Sequence, residues 1–119
     1  MTDDRVTILH NPRCTKSRQA LALLNARGIE PEVVEYLKNP PGIEELHALL
    51  GKLGLSARQL LRTQETIYIE LKLDNPSYSD DEIIRCMLQH PILIQRPIVS
   101  YRGKAVIGRP PEAISVLFD

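Results

Sequence analysis

The sequence predicts an α/β fold: a small mixed sheet flanked by helices, with a helical insertion. Three observations carry this. Short apolar, strand-like runs stand near both ends of the chain. A helical period follows the first of them directly. The middle has helical spacing and helix caps but no strand pattern.

The elements follow in order. Val6, Ile8 and Leu9 form an apolar run that stops at His10-Asn11-Pro12, a buried strand and a turn. From Cys14 the period becomes helical, with Ala20, Leu21, Leu23 and Leu24 on one side and Gly28 as the C-terminal cap. Glu32-Val33-Val34-Glu35-Tyr36 makes a second strand, which completes a βαβ unit. Asn39-Pro40-Pro41 ends it. Ile43, Leu46, Leu49, Leu50 and Leu53 then repeat at helical spacing up to Gly54. Ser56-Ala57-Arg58-Gln59 is a capping box for a short helix ending near Leu61-Arg62. A weaker helix is expected at Thr66–Leu73, broken by Asn75-Pro76-Ser77. Ser79-Asp80-Asp81-Glu82 is a second capping box, opening a helix that Pro91 ends. Ile98–Tyr101 and Lys104–Ile107 flank Arg102-Gly103 as a hairpin. Pro110-Pro111-Glu112 suits the first turn of a last helix carrying Ile114, Val116, Leu117 and Phe118. The order is the thioredoxin-like arrangement, β-α-β and β-β-α, about residues 4–37 and 93–119. The helical insertion falls at about 38–92, inside a single domain of residues 1–119.

Composition narrows the function. At 119 residues the chain can bury a core without disulfide staples. Fifteen basic and fifteen acidic residues give no global pull toward nucleic acid or a membrane surface. No apolar run approaches the roughly 18 residues of a membrane span. The start, Met1-Thr2-Asp3-Asp4-Arg5, is too acidic for a signal peptide. Two widely spaced cysteines do not read as a secreted disulfide framework. The expectation is therefore a cytoplasmic monomer, where a free cysteine stays reduced and available for chemistry.

Cys14 sits where a strand ends and a helix begins. A helix N-terminus lowers a thiol pKa through its free N–H groups and partial positive charge. Making a thiol mostly ionised at neutral pH takes about two units, or about 2.7 kcal/mol. The helix end supplies about 0.3–1 kcal/mol when exposed and up to about 2 when partly buried. The remainder is expected from His10, Arg13, Lys16 and Arg18, which make this a basic stretch. Ala20 occupies the position where a tyrosine-phosphatase loop needs arginine, and Ser17 the position where a Cys-x-x-Cys dithiol needs its second thiol. The site is a monothiol, so the resolving thiol comes from elsewhere. Cys86 is the other cysteine. Its place beside Ile83 and Met87 points to a buried structural role, although pairing with Cys14 stays open. Arg62, Arg96 and Arg109 each follow an apolar or turn segment, and Arg96-Pro97 is a plausible place for a cis proline.

The motifs His10-Asn11-Pro12-x-Cys14-x-x-Ser17-Arg18, Leu60-Leu61-Arg62, Pro91-Ile92-Leu93-Ile94-x-Arg96-Pro97 and Gly108-Arg109-Pro110 resemble the glutaredoxin-coupled arsenate reductases over essentially the whole chain. The resemblance implies the thioredoxin-like fold and a reduction of arsenate to arsenite. Cys14 would form a thiol–arsenate adduct, glutathione would join it as co-substrate, and glutaredoxin would take the glutathione away. It implies that Arg62, Arg96 and Arg109 bind the oxyanion, that His10 helps activate Cys14, and that Asn11, Ser17 and Arg18 support the loop, with Ser17 able to hydrogen-bond the thiolate. No metal and no bound cofactor are expected. The chain is similar to a short subgroup of that family. The best-known members have Gly-Thr where Thr15-Lys16 stand, a cysteine where Gly108 stands, and a tail beyond the position of Asp119. Two alternatives share the fold: a glutathione-linked monothiol reductase or thiol transferase with another substrate, and an Spx-type redox regulator that binds RNA polymerase.

Overall fold

A computed structural model describes residues 5–118. The opening Met1–Asp4 and the terminal Asp119, on which the leader and tail expectations fall, lie outside the described residues. The chain divides into two compact units, one of residues 1–39 and 96–119 and one of residues 40–95.

The first unit is a four-stranded mixed sheet with its helices, the arrangement the sequence predicts. Strands β1 (Thr7–Leu9), β2 (Glu32–Val34), β3 (Ile98–Tyr101) and β4 (Lys104–Ile107) stand in the order β2-β1-β3-β4. β1 and β2 are parallel, joined by helix α1 (Thr15–Ala26) as the βαβ pattern requires. β3 runs antiparallel to β1, with Ile8 opposite Val99, and to β4, with Val99 opposite Val106. The β3–β4 turn places Arg102 and Gly103 both at positive φ, 51° and 77°, which suits a two-residue hairpin. Val6, Ile8, Ala20, Leu24, Val99 and Ile114 make the core. Leu24 and Ile8 are wholly buried; such a side chain contributes about 1.5–3 kcal/mol.

Local chemistry sets the ends of these elements. Gly28, at φ 77°, closes α1: its N–H reaches the Asn25 carbonyl, and the Ile29 N–H reaches that of Leu24. β2 is shorter than expected. The Glu35 carbonyl accepts from the N–H groups of Lys38 and Asn39, so the chain turns and buries Tyr36 instead of extending the strand. The last helix is a 3-10 helix, Pro111–Leu117, and not an α-helix. Its bonds span three residues, from the Ala113 N–H to the Pro110 carbonyl and from the Phe118 N–H to the Ser115 carbonyl. It packs on α1, β3 and β4.

The second unit holds α2 (Ile43–Leu53), α3 (Ala57–Leu60), α4 (Thr66–Glu70), α5 (Asp80–Gln89) and a 3-10 turn, Pro91–Leu93. Both capping boxes form. Ser56 and Ser79 accept from the Gln59 and Glu82 N–H groups, and those side chains accept in return from the cap N–H groups. Leu46, Leu60, Ile83, Met87, Leu93 and Ile94 of this unit are fully buried. α4 ends earlier than its pattern suggests, because Lys72 takes φ 54° and the Leu73 N–H turns back to the Tyr68 carbonyl. No helix among the described residues is long and apolar enough to cross a membrane.

Candidate active site

Strand β1 delivers His10, Asn11 and Cys14 to the head of α1. The Cys14 N–H donates to the Asn11 carbonyl at 2.9 Å, and the Arg13 N–H to Asn11 Oδ1 at 3.0 Å. Asn11 thus folds the loop through Pro12 with its backbone and side chain together. Cys14 is the N-cap of α1, in extended conformation, and is 9% exposed.

Ser17 joins the two halves of the loop. It is fully buried, lies 2.8 Å from His10 Nδ1, and accepts the Asn11 N–H at 3.0 Å. The pair is satisfied when the Ser17 hydroxyl donates to Nδ1 and the imidazole carries its proton on Nε2. Burial pushes the His10 pKa below its ordinary 6.5. Glu35 opposes that shift and Arg18 adds to it. The shift favours the neutral imidazole, and its Nδ1 lies against the Ser17 hydroxyl. The resemblance makes the Ser17 hydroxyl able to reach the sulfur; in the structure it lies against His10 Nδ1 and accepts the Asn11 N–H.

The sulfur finds other partners. Burial pushes the Cys14 thiol up, but the Ser17 backbone N–H, the Arg96 guanidinium and the Lys16 backbone N–H together outweigh it and hold the pKa below the ordinary thiol value. Arg96 acts twice, by hydrogen bond and by charge. Arg109 Nη2 lies 3.9 Å from Sγ. The basic loop expected to activate the thiol is used otherwise. Arg18 donates to the Pro12 carbonyl at 3.0 Å and to Thr15 Oγ1 at 3.3 Å, while Arg13 and Lys16 are exposed. The charge at the sulfur comes instead from Arg96, far away in sequence.

Arg96 and Arg109 are themselves tied together. Arg109 Nε donates to the Arg96 carbonyl at 2.8 Å, and the Gly108 N–H to the Pro97 carbonyl at 2.9 Å. The Arg96-Pro97 bond is cis, as its place before β3 suggested, and so is Arg109-Pro110. Arg62 belongs to the second unit. It follows the Leu61–Ile94 bridge, and its Nε donates to Glu65 Oε1 at 3.0 Å. Cys86 is half-buried and not buried as expected: it sits at the margin of the α5 face that buries Ile83 and Met87. Burial and the nearby Glu82 push its thiol up.

The sequence reading expects free N–H groups at the helix head without naming them, and the structure identifies them as those of Lys16 and Ser17; the feature it missed is the support of Arg109 by the Arg96 carbonyl and of its neighbour Gly108 by the Pro97 carbonyl. A helix start directly after Cys14 signals the amides. Nothing local signals the carbonyls, which act between segments distant along the chain.

The fold and this thiol define a class of small thioredoxin-like proteins that present one activated cysteine at the head of a helix. The chain belongs to the ArsC family, whose model matches residues 9–117. It is 50% identical over 113 residues to an arsenate reductase of Neisseria meningitidis serogroup A, covering 94% of this chain and 97% of the relative. It is also 50% identical to an arsenate reductase of Rhizobium meliloti, covering 92% of this chain and 78% of that one. Among solved structures, an arsenate reductase from Vibrio cholerae superposes with a TM-score of 0.93 at 46% identity, covering 95% of this chain and 97% of the other.

Proposed function

We propose that this protein reduces arsenate to arsenite through Cys14, in the reducing cytoplasm, with glutathione as co-substrate and glutaredoxin as partner. The observation that carries the proposal is the convergence on one sulfur of the Arg96 and Arg109 guanidiniums and two helix N–H groups. These groups first stabilise a thiolate. They then suit a tetrahedral oxyanion, because planar guanidinium forks match its oxygens and amide N–H groups at a helix head favour negative charge. Arg62 enters as a third oxyanion ligand on the resemblance alone.

The chemistry balances with two external electrons, supplied by thiols. The Cys14 thiolate attacks arsenic and displaces one oxygen as water, forming an S–As bond. Glutathione then adds its thiol, and a sulfur–sulfur bond forms as arsenic takes the electron pair and leaves as arsenite. The mixed disulfide on Cys14 passes its glutathione to glutaredoxin, which restores the thiol. In total, arsenic acid and two thiols give arsenous acid, one disulfide and one water. Ser17 in place of a second loop cysteine is why the second thiol is external.

The test is arsenate-dependent NADPH oxidation in the presence of glutathione, glutaredoxin and glutathione reductase. Turnover that requires all components is expected. No turnover with arsenate, alongside exchange of glutathione mixed disulfides, would move the protein to the thiol transferases.

A further inference from the structure

Gly108 stands where the site's supporting segments meet. A β-carbon built on it would lie 2.9 Å from Pro97 Cγ, 3.4 Å from Ile114 Cγ2 and 3.6 Å from Ala20 Cβ. Pro97 follows Arg96, Ala20 lies on the helix that Cys14 caps, and Ile114 lies in the closing 3-10 helix. The first distance is shorter than packed atoms tolerate, and the atom it meets belongs to a ring, not to a mobile side-chain tip. Gly108 is not among the glycines at positive φ, so the need is for close approach and not for an unusual backbone. That closeness has a direct use. It permits the 2.9 Å bond from the Gly108 N–H to the Pro97 carbonyl, and the next residue along is Arg109. Arg109 is then held on both sides, by its Nε on the Arg96 carbonyl at 2.8 Å and by its Nη2 at the Cys14 sulfur at 3.9 Å.

We infer that Gly108 is a positioning residue for Arg109: the missing side chain lets the segment after β4 lie against Pro97, and this holds the Arg109 guanidinium at the Cys14 sulfur. A methyl group at 108 pushes the Pro97 ring and the Arg109 backbone apart. The Arg109 Nε bond and the guanidinium–sulfur approach loosen together. The inference rests on the oxyanion reading where substrate affinity is concerned, but its thiol component stands without any substrate.

The test is a double-mutant cycle of Gly108→Ala and Arg109→Gln in a Cys86→Ser background, so that Cys14 alone reports. Alkylation of Cys14 by iodoacetamide is followed against pH, together with KM and kcat for arsenate and thermal unfolding. Gly108→Ala is expected to move the alkylation midpoint to higher pH and to raise KM for arsenate about three- to fivefold, the size of a partly exposed charge interaction, with kcat changed less than about twofold. In the Arg109→Gln background the same substitution is expected to change neither. Full additivity of the two substitutions would overturn the inference. So would an Arg109→Gln chain with an unchanged alkylation midpoint, since nothing would then remain to position. A Gly108→Ala chain that fails to fold would assign the glycine to packing alone. Absence of arsenate turnover in every variant would count against the oxyanion reading, while the alkylation cycle would still decide the role of Gly108.

Discussion

Cys14 and Cys86 carry the same side chain into two opposite settings. Cys14 lies in the unit where buried polar groups are concentrated: His10, Asn11 and Ser17 are the buried polar residues of the described chain, and they stand in the loop before Cys14 or in the first turn of α1 after it. Cys86 lies in the helical unit, whose buried side chains are apolar. Both thiols suffer from burial. At Cys14, amide donors and the Arg96 guanidinium outweigh that cost; at Cys86, the Glu82 carboxylate adds to it. Burial alone therefore does not decide whether a cysteine is reactive. What decides is whether the surrounding structure supplies donors and positive charge or withholds them.

The largest expected effect separates the two cysteines outright. Cys14→Ser is expected to abolish arsenate turnover, and Cys86→Ser to leave most of it. Equal loss in both, measured in the coupled assay, would mean that the two thiols share the reaction. Next comes Arg96→Ala, which removes a charge-assisted hydrogen bond of about 1.5–3 kcal/mol from the sulfur. Alkylation of Cys14 at neutral pH is expected to slow roughly tenfold or more, with KM for arsenate rising by a similar factor. An unchanged rate would remove Arg96 from the site.

Two serines extend the comparison to stability. Ser17→Ala takes the shared hydroxyl from His10 and the Asn11 N–H, both buried, and is expected to cost about 1–3 kcal/mol in denaturant unfolding while also slowing Cys14 alkylation. Ser79→Ala removes a helix cap in the other unit. It is expected to cost about 1 kcal/mol and to leave Cys14 alkylation unchanged. A Ser79 variant that altered the thiol would show that the two regions are energetically linked.

These contrasts also show what the sequence made legible. Interactions that close within a few residues could be read directly. The capping boxes at Ser56 and Ser79, the Gly28 cap and the Arg102-Gly103 turn all form where their residue types stand. So did the strand-to-helix seat of Cys14, because β periodicity gives way to helical periodicity there. Lys72 shows the limit. It closes α4 in the left-handed conformation that a glycine would have announced, so the helix reads longer than it is. The thiol's electrostatics were the least legible. Local composition pointed to Arg13, Lys16 and Arg18, whereas the sulfur is served by Arg96 and Arg109, which the sheet topology returns to β1 from the far end of the chain. The family resemblance named those arginines. The residues alone could not, because an arginine after an apolar run looks the same on a surface as in a site.

The pH dependence has opposite signs at the two thiols. Cys14 has a lower pKa folded than unfolded, so its ionisation favours folding above the unfolded value, and that contribution is lost as pH falls through the folded one. Cys86 has a higher pKa folded, so its contribution is present below the unfolded value and lost as pH rises through the folded one. The most direct measurement is site-resolved alkylation of the native protein across a pH series, with each cysteine read separately by peptide mass spectrometry. Cys14 is predicted to react with a midpoint below that of an ordinary thiol, and Cys86 with a midpoint above it. A Cys14 midpoint at or above that of Cys86 would contradict the claim that the loop, its helix amides and Arg96 make Cys14 the nucleophile.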